Sequence, residues 1–134
     1  MKEANLCPCG SGKTYEQCCE SYHKNSNAPT AEALMRSRYA AFVFGLVEYL
    51  FETTHPSHRT KNLSEEIAFT CKRLAWTKLD VVEVWQGGEN DKVGKVSFRA
   101  SFMQDGREGL HVEHSRFKRF GKAWMYVDGE VKDA

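Results

Sequence analysis

The sequence contains few prolines, almost no net charge and no long apolar run. With three prolines among 134 residues, 41% apolar residues and 28% charged residues, the composition is typical of a globular chain rather than a disordered one. A formal net charge of +1 gives no global electrostatic attraction toward nucleic acid or an anionic membrane. The length suits one compact domain, with at most a small appendage.

The sequence also lacks the features of a signal peptide and of a membrane span. Residues 1–10 contain no basic region followed by an apolar run. The most apolar window, residues 40–51, is short and contains Glu48, so it is unsuited to cross a bilayer. We therefore expect a soluble, cytoplasmic protein. Stable disulfide bonds are not expected in such a protein, because its compartment is reducing.

Hydrophobic periodicity predicts helices in the first half of the chain. One helix is expected to begin after its N-cap Thr30, and its apolar stripe continues at helical spacing as far as Leu50. The loop that contains Pro56 should end it. A second helix is predicted to begin at Ser64 as its N-cap. Its apolar stripe, which extends to Ala75, includes Cys71, and this thiol is interpreted as a buried structural one.

The second half of the chain alternates between apolar and polar residues with a period of two. This alternation predicts four strands, at residues 79–86, 92–103, 109–120 and 123–128. Short segments rich in glycine, asparagine and aspartate separate the strands, which indicates tight turns. The predicted architecture is therefore α+β, with helices followed by a curved antiparallel meander.

Four of the five cysteines lie within thirteen positions, as Cys7, Cys9, Cys18 and Cys19. Two close thiol pairs joined by a turn can supply the four soft ligands that zinc binds at tetrahedral corners. A redox pair fits less well, because there is no C-x-x-C spacing and a disulfide between adjacent cysteines would be strained. We therefore predict one structural Zn²⁺ ion with four cysteine ligands. His23 could replace a cysteine, but four thiols already complete the coordination shell.

The stretch CPCGSGKTYEQCC, residues 7–19, resembles the SEC-C motif, the zinc-binding element at the C-terminus of the SecA translocation ATPase. The last ligand of that motif is often histidine, and Cys19 stands in its place here. The resemblance implies an interaction module, which in SecA is implicated in contacts with a chaperone and other partners. We therefore expect this segment to contact a protein partner.

The rest of the sequence resembles the YchJ (UPF0225) family of bacterial proteins, in which a SEC-C motif precedes an NTF2-like domain. The matching stretches are LMRSRYAAFV (34–43), THP (54–56), EHSRF (113–117) and WMYVDG (124–129). The resemblance implies a SEC-C motif over residues 1–24 and an NTF2-like domain over residues 25–134. In that domain, helices pack in the mouth of a bent sheet and form a cone.

The third predicted strand places His111, Glu113 and Ser115 on one face, which would line the cone. A His or a Glu in an apolar cavity could act as a general base, and Arg38 could orient an anionic group. An ion pair between Glu113 and either Arg36 or Arg38 would instead only neutralise an inward carboxylate. Three groups side by side on one strand do not form a triad, because a triad usually gathers residues from separate elements.

Two functional hypotheses follow from these patterns. The first is a non-enzymatic zinc-binding protein that acts as an adaptor through its SEC-C motif. The alternative is an NTF2-like small-ligand-binding protein or enzyme that uses the pocket lined by His111, Glu113 and Arg38. Nucleic acid is not expected as a partner, although residues 116–122 (RFKRFGK) form a local basic patch. A homodimer through an exposed face of the sheet is a further expectation.

Overall fold

The structure is a computed structural model that describes residues 6–132. Helices precede strands along the chain, which confirms the α+β class. The helices are α1 (Cys19–Asn25), α2 (Ala31–Phe44), α3 (Val47–Glu52) and α4 (Leu63–Arg73), with short 3₁₀ turns at Tyr15–Gln17 and Pro56–His58. The strands are β1 (Ala75–Gln86), β2 (Val93–Gln104), β3 (Arg107–Phe120) and β4 (Ala123–Lys132).

The four strands form one antiparallel sheet in the order β1-β2-β3-β4, as the meander prediction requires. The turn between β2 and β3 consists of Asp105 and Gly106, with φ angles of 53° and 80°. Two successive positive φ angles match the twist of a tight hairpin. Bulges in β1 and at the β3–β4 pairing bend the strands, and the helices pack against the concave face. Helices α2–α4 and this sheet are referred to below as the cone.

The first predicted helix begins where expected but is interrupted. The hydroxyl of Thr30 accepts a hydrogen bond from the amide of Ala33 at 3.0 Å and caps α2. Gly45 then ends α2 in the left-handed conformation, with a φ of 73°. The prediction of one continuous helix to Leu50 was wrong, because α3 packs on the same core and its apolar residues continue the periodicity. Among residues 6–132, no helix is long and apolar enough to cross a membrane.

The second predicted helix also differs in its boundaries. Helix α4 begins at Leu63, and its N-cap is Asn62 rather than Ser64, without a side-chain capping bond. Cys71 packs against the core, as its place on the apolar face predicted, but it is half-buried rather than buried. Ala75, predicted on the helical stripe, instead opens β1. The strand starts earlier than predicted because a bulge just after its first residues disrupts the alternation.

The hydrophobic core lies between the helices and the concave face of the sheet. Its members include Leu34, Met35, Tyr39, Leu50, Val96, Ala100, Phe117 and Trp124. Three of the clustered cysteines, Cys7, Cys9 and Cys19, belong to the same buried cluster. The N-terminal segment, residues 6–25, therefore packs against the cone, and it is referred to below as the knuckle.

Candidate functional site

The four clustered thiols converge on one point of the knuckle. The sulfur atoms of Cys7, Cys9, Cys18 and Cys19 all lie within 4.8 Å of one another. The separations from Cys18 Sγ to the sulfurs of Cys9 and Cys19 are 3.6 and 3.8 Å. A tetrahedron with Zn–S bonds of about 2.3 Å has sulfur–sulfur edges of about 3.8 Å. The spacing is therefore compatible with a single metal ion such as zinc.

Backbone hydrogen bonds of the knuckle hold the two cysteine pairs together. The amide of Cys7 donates to the carbonyl of Lys13 at 2.9 Å, and the amide of Gly10 donates back to the carbonyl of Cys7 at 3.2 Å. The hydroxyl of Thr14 caps the following 3₁₀ turn by accepting from the amide of Gln17. The chain then enters α1, which begins at the fourth cysteine. The short segment between the pairs therefore brings Cys18 and Cys19 back beside Cys7 and Cys9.

Burial and mutual hydrogen bonding govern the protonation of the thiols. Cys9 and Cys19 are fully buried, whereas Cys18 is half-buried and lies 3.2 Å from the hydroxyl of Ser11. The pKa of Cys9 is lowered because the thiols of Cys19 and then Cys7 donate hydrogen bonds to its sulfur. The pKa of Cys19 is raised because its thiol proton is hydrogen-bonded to the sulfurs of Cys7 and Cys9. Four packed thiols cannot all ionise unless a cation compensates their charge, which suits a soft metal ion.

His23 lies near the thiols, but both of its ring nitrogens are engaged elsewhere. Its Nε2–H donates to the carbonyl of Ser37 at 2.7 Å, and its Nδ1 accepts from the hydroxyl of Tyr15 at 2.7 Å. Burial lowers the pKa of His23, consistent with a neutral ring in this arrangement. The ring therefore joins the knuckle to α2 and is not placed to replace a thiol.

Arg36 forms a second link between the knuckle and the cone. Its Nη1 donates to the carbonyl of Cys9 at 2.7 Å, and its Nε donates to the carboxylate of Glu32 at 3.0 Å. The alternative in which Arg36 pairs with Glu113 is therefore wrong. The position of Arg36 on α2 directs its side chain toward the knuckle rather than toward the strand that carries Glu113.

A cavity of about 670 Å³ lies inside the cone. Its lining includes all four residues predicted for a pocket, namely Arg38, His111, Glu113 and Ser115. Apolar side chains from the helices and the sheet form much of the remaining wall, among them Met35, Phe42, Leu74, Trp76, Phe98 and Phe117. The fold thus gathers the predicted polar residues from α2 and β3 in one concave space.

Glu113 is held as an anion by three hydrogen bonds. Its Oε1 lies 2.7 Å from His111 Nε2, and its Oε2 accepts from the hydroxyls of Ser115 and Tyr126, each at 2.7 Å. Burial opposes ionisation, but these bonds outweigh it, and the pKa of Glu113 is lowered. Ser115 donates to Glu113 and not to His111, so the three residues do not form a nucleophilic triad. Gly129 of β4 has no side chain, and the carboxylate of Glu113 occupies the space that a Cβ atom would fill.

Arg38 is buried beside this carboxylate but does not pair with it. Its Nη1 donates to the carbonyl of Leu50 at 2.9 Å and to the hydroxyl of Thr53 at 2.7 Å. Its guanidinium carbon lies 4.5 Å from the centre of the Tyr126 ring. Among residues 6–132, no ion pair joins Arg38 to Glu113, so the predicted pairing was wrong and Tyr126 contacts both groups instead. Burial lowers the pKa of Arg38 to about 10.

Sequence reasoning did not identify Tyr126 and Gly129 as parts of this site. Simple alternation along β4 would place Tyr126 and Asp128 on the same face. A register shift after Arg116 instead pairs Arg116 with Asp128, while Gly129 pairs with Ser115 on the concave face. The bulge therefore places Asp128 opposite Arg116, with which it forms an ion pair at the edge of the cavity.

The basic segment of β3 makes contacts within the chain. Arg119 donates to the carbonyl oxygens of Asp91 and Glu89 at 2.8 and 2.7 Å. Its guanidinium also stacks on the ring of Trp124, with 4.4 Å between the guanidinium carbon and the ring centre. Arg119 therefore fastens the turn between β1 and β2 to the end of the sheet.

Sequence comparisons match both parts of the chain to known families. A family model described as YchJ, middle NTF2-like domain, matches residues 30–129, and the SEC-C motif matches residues 5–21. A UPF0225 protein from Vibrio vulnificus is 45% identical over 127 residues, which cover 94% of this chain and 75% of the relative. A UPF0225 protein from Streptomyces coelicolor is 44% identical over 128 residues, which cover 95% and 96%.

Solved structures share the fold of the whole chain. A SEC-C motif containing protein from Rhodopseudomonas palustris superimposes with a TM-score of 0.84 at 35% identity, covering 95% of this chain and 98% of that one. A second such protein, from Psychrobacter arcticus, gives a TM-score of 0.78 at 26% identity, covering 98% and 84%. The similarity therefore extends over the knuckle and the cone together.

Proposed function

The chain belongs to the YchJ (UPF0225) family, as its sequence predicted, and we propose that it binds one Zn²⁺ ion through Cys7, Cys9, Cys18 and Cys19. The observation that carries this proposal is the convergence of four sulfur atoms within 4.8 Å. Four thiolates would complete the tetrahedral shell of zinc and leave no position for water or substrate. The ion would therefore have a structural role.

The composition of the knuckle supports a structural ion. Its fully buried residues are thiols rather than large apolar side chains. A segment of this length cannot bury enough apolar surface to fold alone, and small domains of this kind commonly rely on a metal. The bound ion would hold the turn and α1 in the shape in which the carbonyl of Cys9 accepts from Arg36 and His23 donates to the carbonyl of Ser37.

Metal analysis of purified variants tests this proposal. Cys18→Ser changes the half-buried ligand, and Cys71→Ser changes the cysteine outside the cluster. We expect about one zinc per chain in the wild type and in Cys71→Ser, and a large loss in Cys18→Ser, because serine is a poor zinc ligand. Unchanged zinc content in Cys18→Ser would rule out the four-thiolate assignment.

An adaptor role is the finer part of this proposal, with a protein partner contacting the outer side of the knuckle. Its support is the SEC-C similarity together with an exposed surface beside the thiols. Leu6 is 61% exposed, and residues 10–13 form an exposed turn. The double variant Leu6→Ser/Lys13→Glu should retain its zinc and lose a partner that the wild type captures from bacterial lysate. Equal capture by both proteins would refute an adaptor surface at this turn.

A second candidate function is the binding of a small ligand in the cone. The cavity of about 670 Å³ falls within the size range of small-molecule pockets and contains the polar residues Arg38 and His111. Ala100 is buried on the same wall, so Ala100→Leu should reduce the cavity and leave the knuckle intact. The two candidates therefore separate experimentally. Cys18→Ser should remove zinc, and Ala100→Leu should remove ligand binding while zinc content stays unchanged.

A further inference from the structure

We infer that the cone cavity binds a small organic molecule with an apolar body and one carboxylate group, and that Arg38 receives this carboxylate. The inference rests on the second candidate function, ligand binding in the cone, and it names the chemical class of the ligand. Three observations carry it: the free donors of Arg38, the occupied acceptors around Glu113, and the apolar walls of the cavity.

Arg38 presents hydrogen-bond donors that the protein does not use. The residue is 9% exposed and lines the cavity, and only its Nη1 donates to acceptors within residues 6–132. Its Nε and Nη2 form the edge of the guanidinium that matches the two oxygens of a carboxylate. These two nitrogens border the cavity and are not sealed from it, so a ligand carboxylate can reach both of them.

Trp76 contributes an aromatic side chain to the wall of the same cavity. Within the described part of the chain, its Nε1 is the only buried side-chain nitrogen or oxygen without a hydrogen-bond partner. The indole lines the cavity and lies edge-on to the ring of His111, with 5.9 Å between the ring centres. A native structure rarely leaves such a group unpaired. Because this nitrogen has almost no accessible surface, it is closed to a ligand, and the edge of Arg38 is the anion-binding group of the cavity.

The acceptors of the cavity, by contrast, are occupied or exposed. Glu113 already receives hydrogen bonds from His111, Ser115 and Tyr126. Among the other acidic residues in the lining, Asp128 is paired with Arg116, and Glu66 is exposed to solvent. A cationic ligand would find no free buried carboxylate, whereas an anion would find the open edge of Arg38.

The walls indicate what the rest of the ligand must be. Apolar side chains from α2, α4 and the sheet surround the polar groups, including Met35, Phe42, Leu74 and Phe98. An inorganic anion would leave this surface in contact with water, whereas an aromatic or aliphatic body would cover it. The combination of one anion-binding edge with apolar walls specifies an organic monocarboxylate.

Calorimetric titration of the zinc-loaded full chain with paired probes tests the inference. The acids are benzoate, phenylacetate and octanoate, and their partners are benzamide, phenylacetamide and octanamide. We expect at least one acid to bind roughly tenfold to a hundredfold more tightly than its amide, because hydrogen bonds to a charged group contribute that difference. The body that binds best reports the shape of the cavity.

Three variants test whether Arg38 is responsible for the preference for an acid over its amide. Arg38→Lys keeps the charge but removes the two-nitrogen edge, so the difference between acid and amide should fall to a few-fold. Arg99→Lys, an exposed arginine on β2, is the matched control and should behave as the wild type. Because Arg38→Lys also loses contacts with α3 and could unfold, Ala100→Leu provides an independent test. It leaves Arg38 in place and should abolish binding of every probe.

The outcomes separate this inference from the function on which it rests. Amides that bind as tightly as the acids would leave ligand binding in place and overturn the carboxylate assignment. No binding of any probe at millimolar concentration would overturn both. An acid preference that persists in Arg38→Lys and in Ala100→Leu would place the binding elsewhere and would also overturn the inference.

Discussion

The knuckle and the cone keep their shapes by different physical means. The fully buried side chains of the knuckle are thiols clustered closely enough to hold a metal ion, whereas the cone buries aliphatic and aromatic residues around a hydrogen-bonded polar group. The four sulfur atoms of the knuckle converge on one point, and four thiolates would leave no open coordination position on a metal ion. The polar groups of the cone satisfy Glu113 but leave an edge of Arg38 without an acceptor. The comparison teaches that closeness of functional groups alone does not distinguish a structural site from a binding site; unsatisfied donors do.

The largest expected effect comes from removing a buried ligand of the knuckle. Cys19→Ser should abolish stoichiometric zinc binding and lower the free energy of unfolding by about 3–5 kcal/mol, because the knuckle then loses its packing on α2. Urea denaturation followed by circular dichroism measures the change. Cys71→Ser is the control and should cost about 1 kcal/mol or less. Equal costs for the two variants would contradict a structural ion.

A substitution in the cone should be nearly as damaging without affecting the metal. A methyl group at Gly129 would overlap the carboxylate of Glu113 and displace it from its three donors. Gly129→Ala should therefore cost about 2–4 kcal/mol in unfolding free energy, while zinc content stays at the wild-type value. Gly88→Ala, in the turn before β2, serves as the control. An unchanged unfolding free energy in Gly129→Ala would show that stability does not depend on this placement of the Glu113 carboxylate.

The charge of Glu113 predicts a pH dependence of stability. Because its pKa is lowered in the folded chain, its contribution is present above the ordinary glutamate pKa and is lost as pH falls through the folded value. Below about pH 5, the wild type should therefore lose stability more steeply than Glu113→Gln. Thiolate sites also release metal in acid, so the quantity to measure is the difference between the two proteins in urea denaturation. Parallel curves would contradict an ionised Glu113.

The smallest expected effect tests the link between the two regions. Arg36→Gln removes the hydrogen bond to the carbonyl of Cys9 and should cost about 1 kcal/mol, because the arginine is partly exposed. In a competition titration with a chelator, its zinc affinity should fall by a few-fold to tenfold. Arg73→Gln, which changes a solvent-exposed ion pair, should alter neither quantity. An unchanged affinity in Arg36→Gln would mean that α2 does not support the metal site.

The sequence was sufficient to predict the parts of the molecule that depend on neighbouring residues. The four thiols of the knuckle lie within thirteen positions, so their chemistry and spacing identify the set before any tertiary structure is known. Turn residues such as Asp105 and Gly106 likewise indicate the hairpins that connect the strands. Alternation along β3 placed His111, Glu113 and Ser115 on one face, and the structure has all three on the wall of the cavity.

Features that depend on long-range packing could not be predicted in the same way. Gly45 interrupts α2 while the apolar periodicity continues, because α3 packs against the same core. The bulge opposite Arg116 turns Gly129 inward, and alternation gives no sign of it. Charge alone favoured a pair between Arg38 and Glu113, but the ring and hydroxyl of Tyr126 contact the two groups separately.

Residue-resolved hydrogen exchange, measured on the full chain before and after zinc is removed by a chelator, tests the central contrast most directly. The account predicts that amide protection is lost across residues 6–25 and is retained in the central strands β2 and β3, because the apolar core holds the sheet without the ion. Protection that survives in the knuckle, or that disappears equally from the knuckle and the central strands, would contradict it.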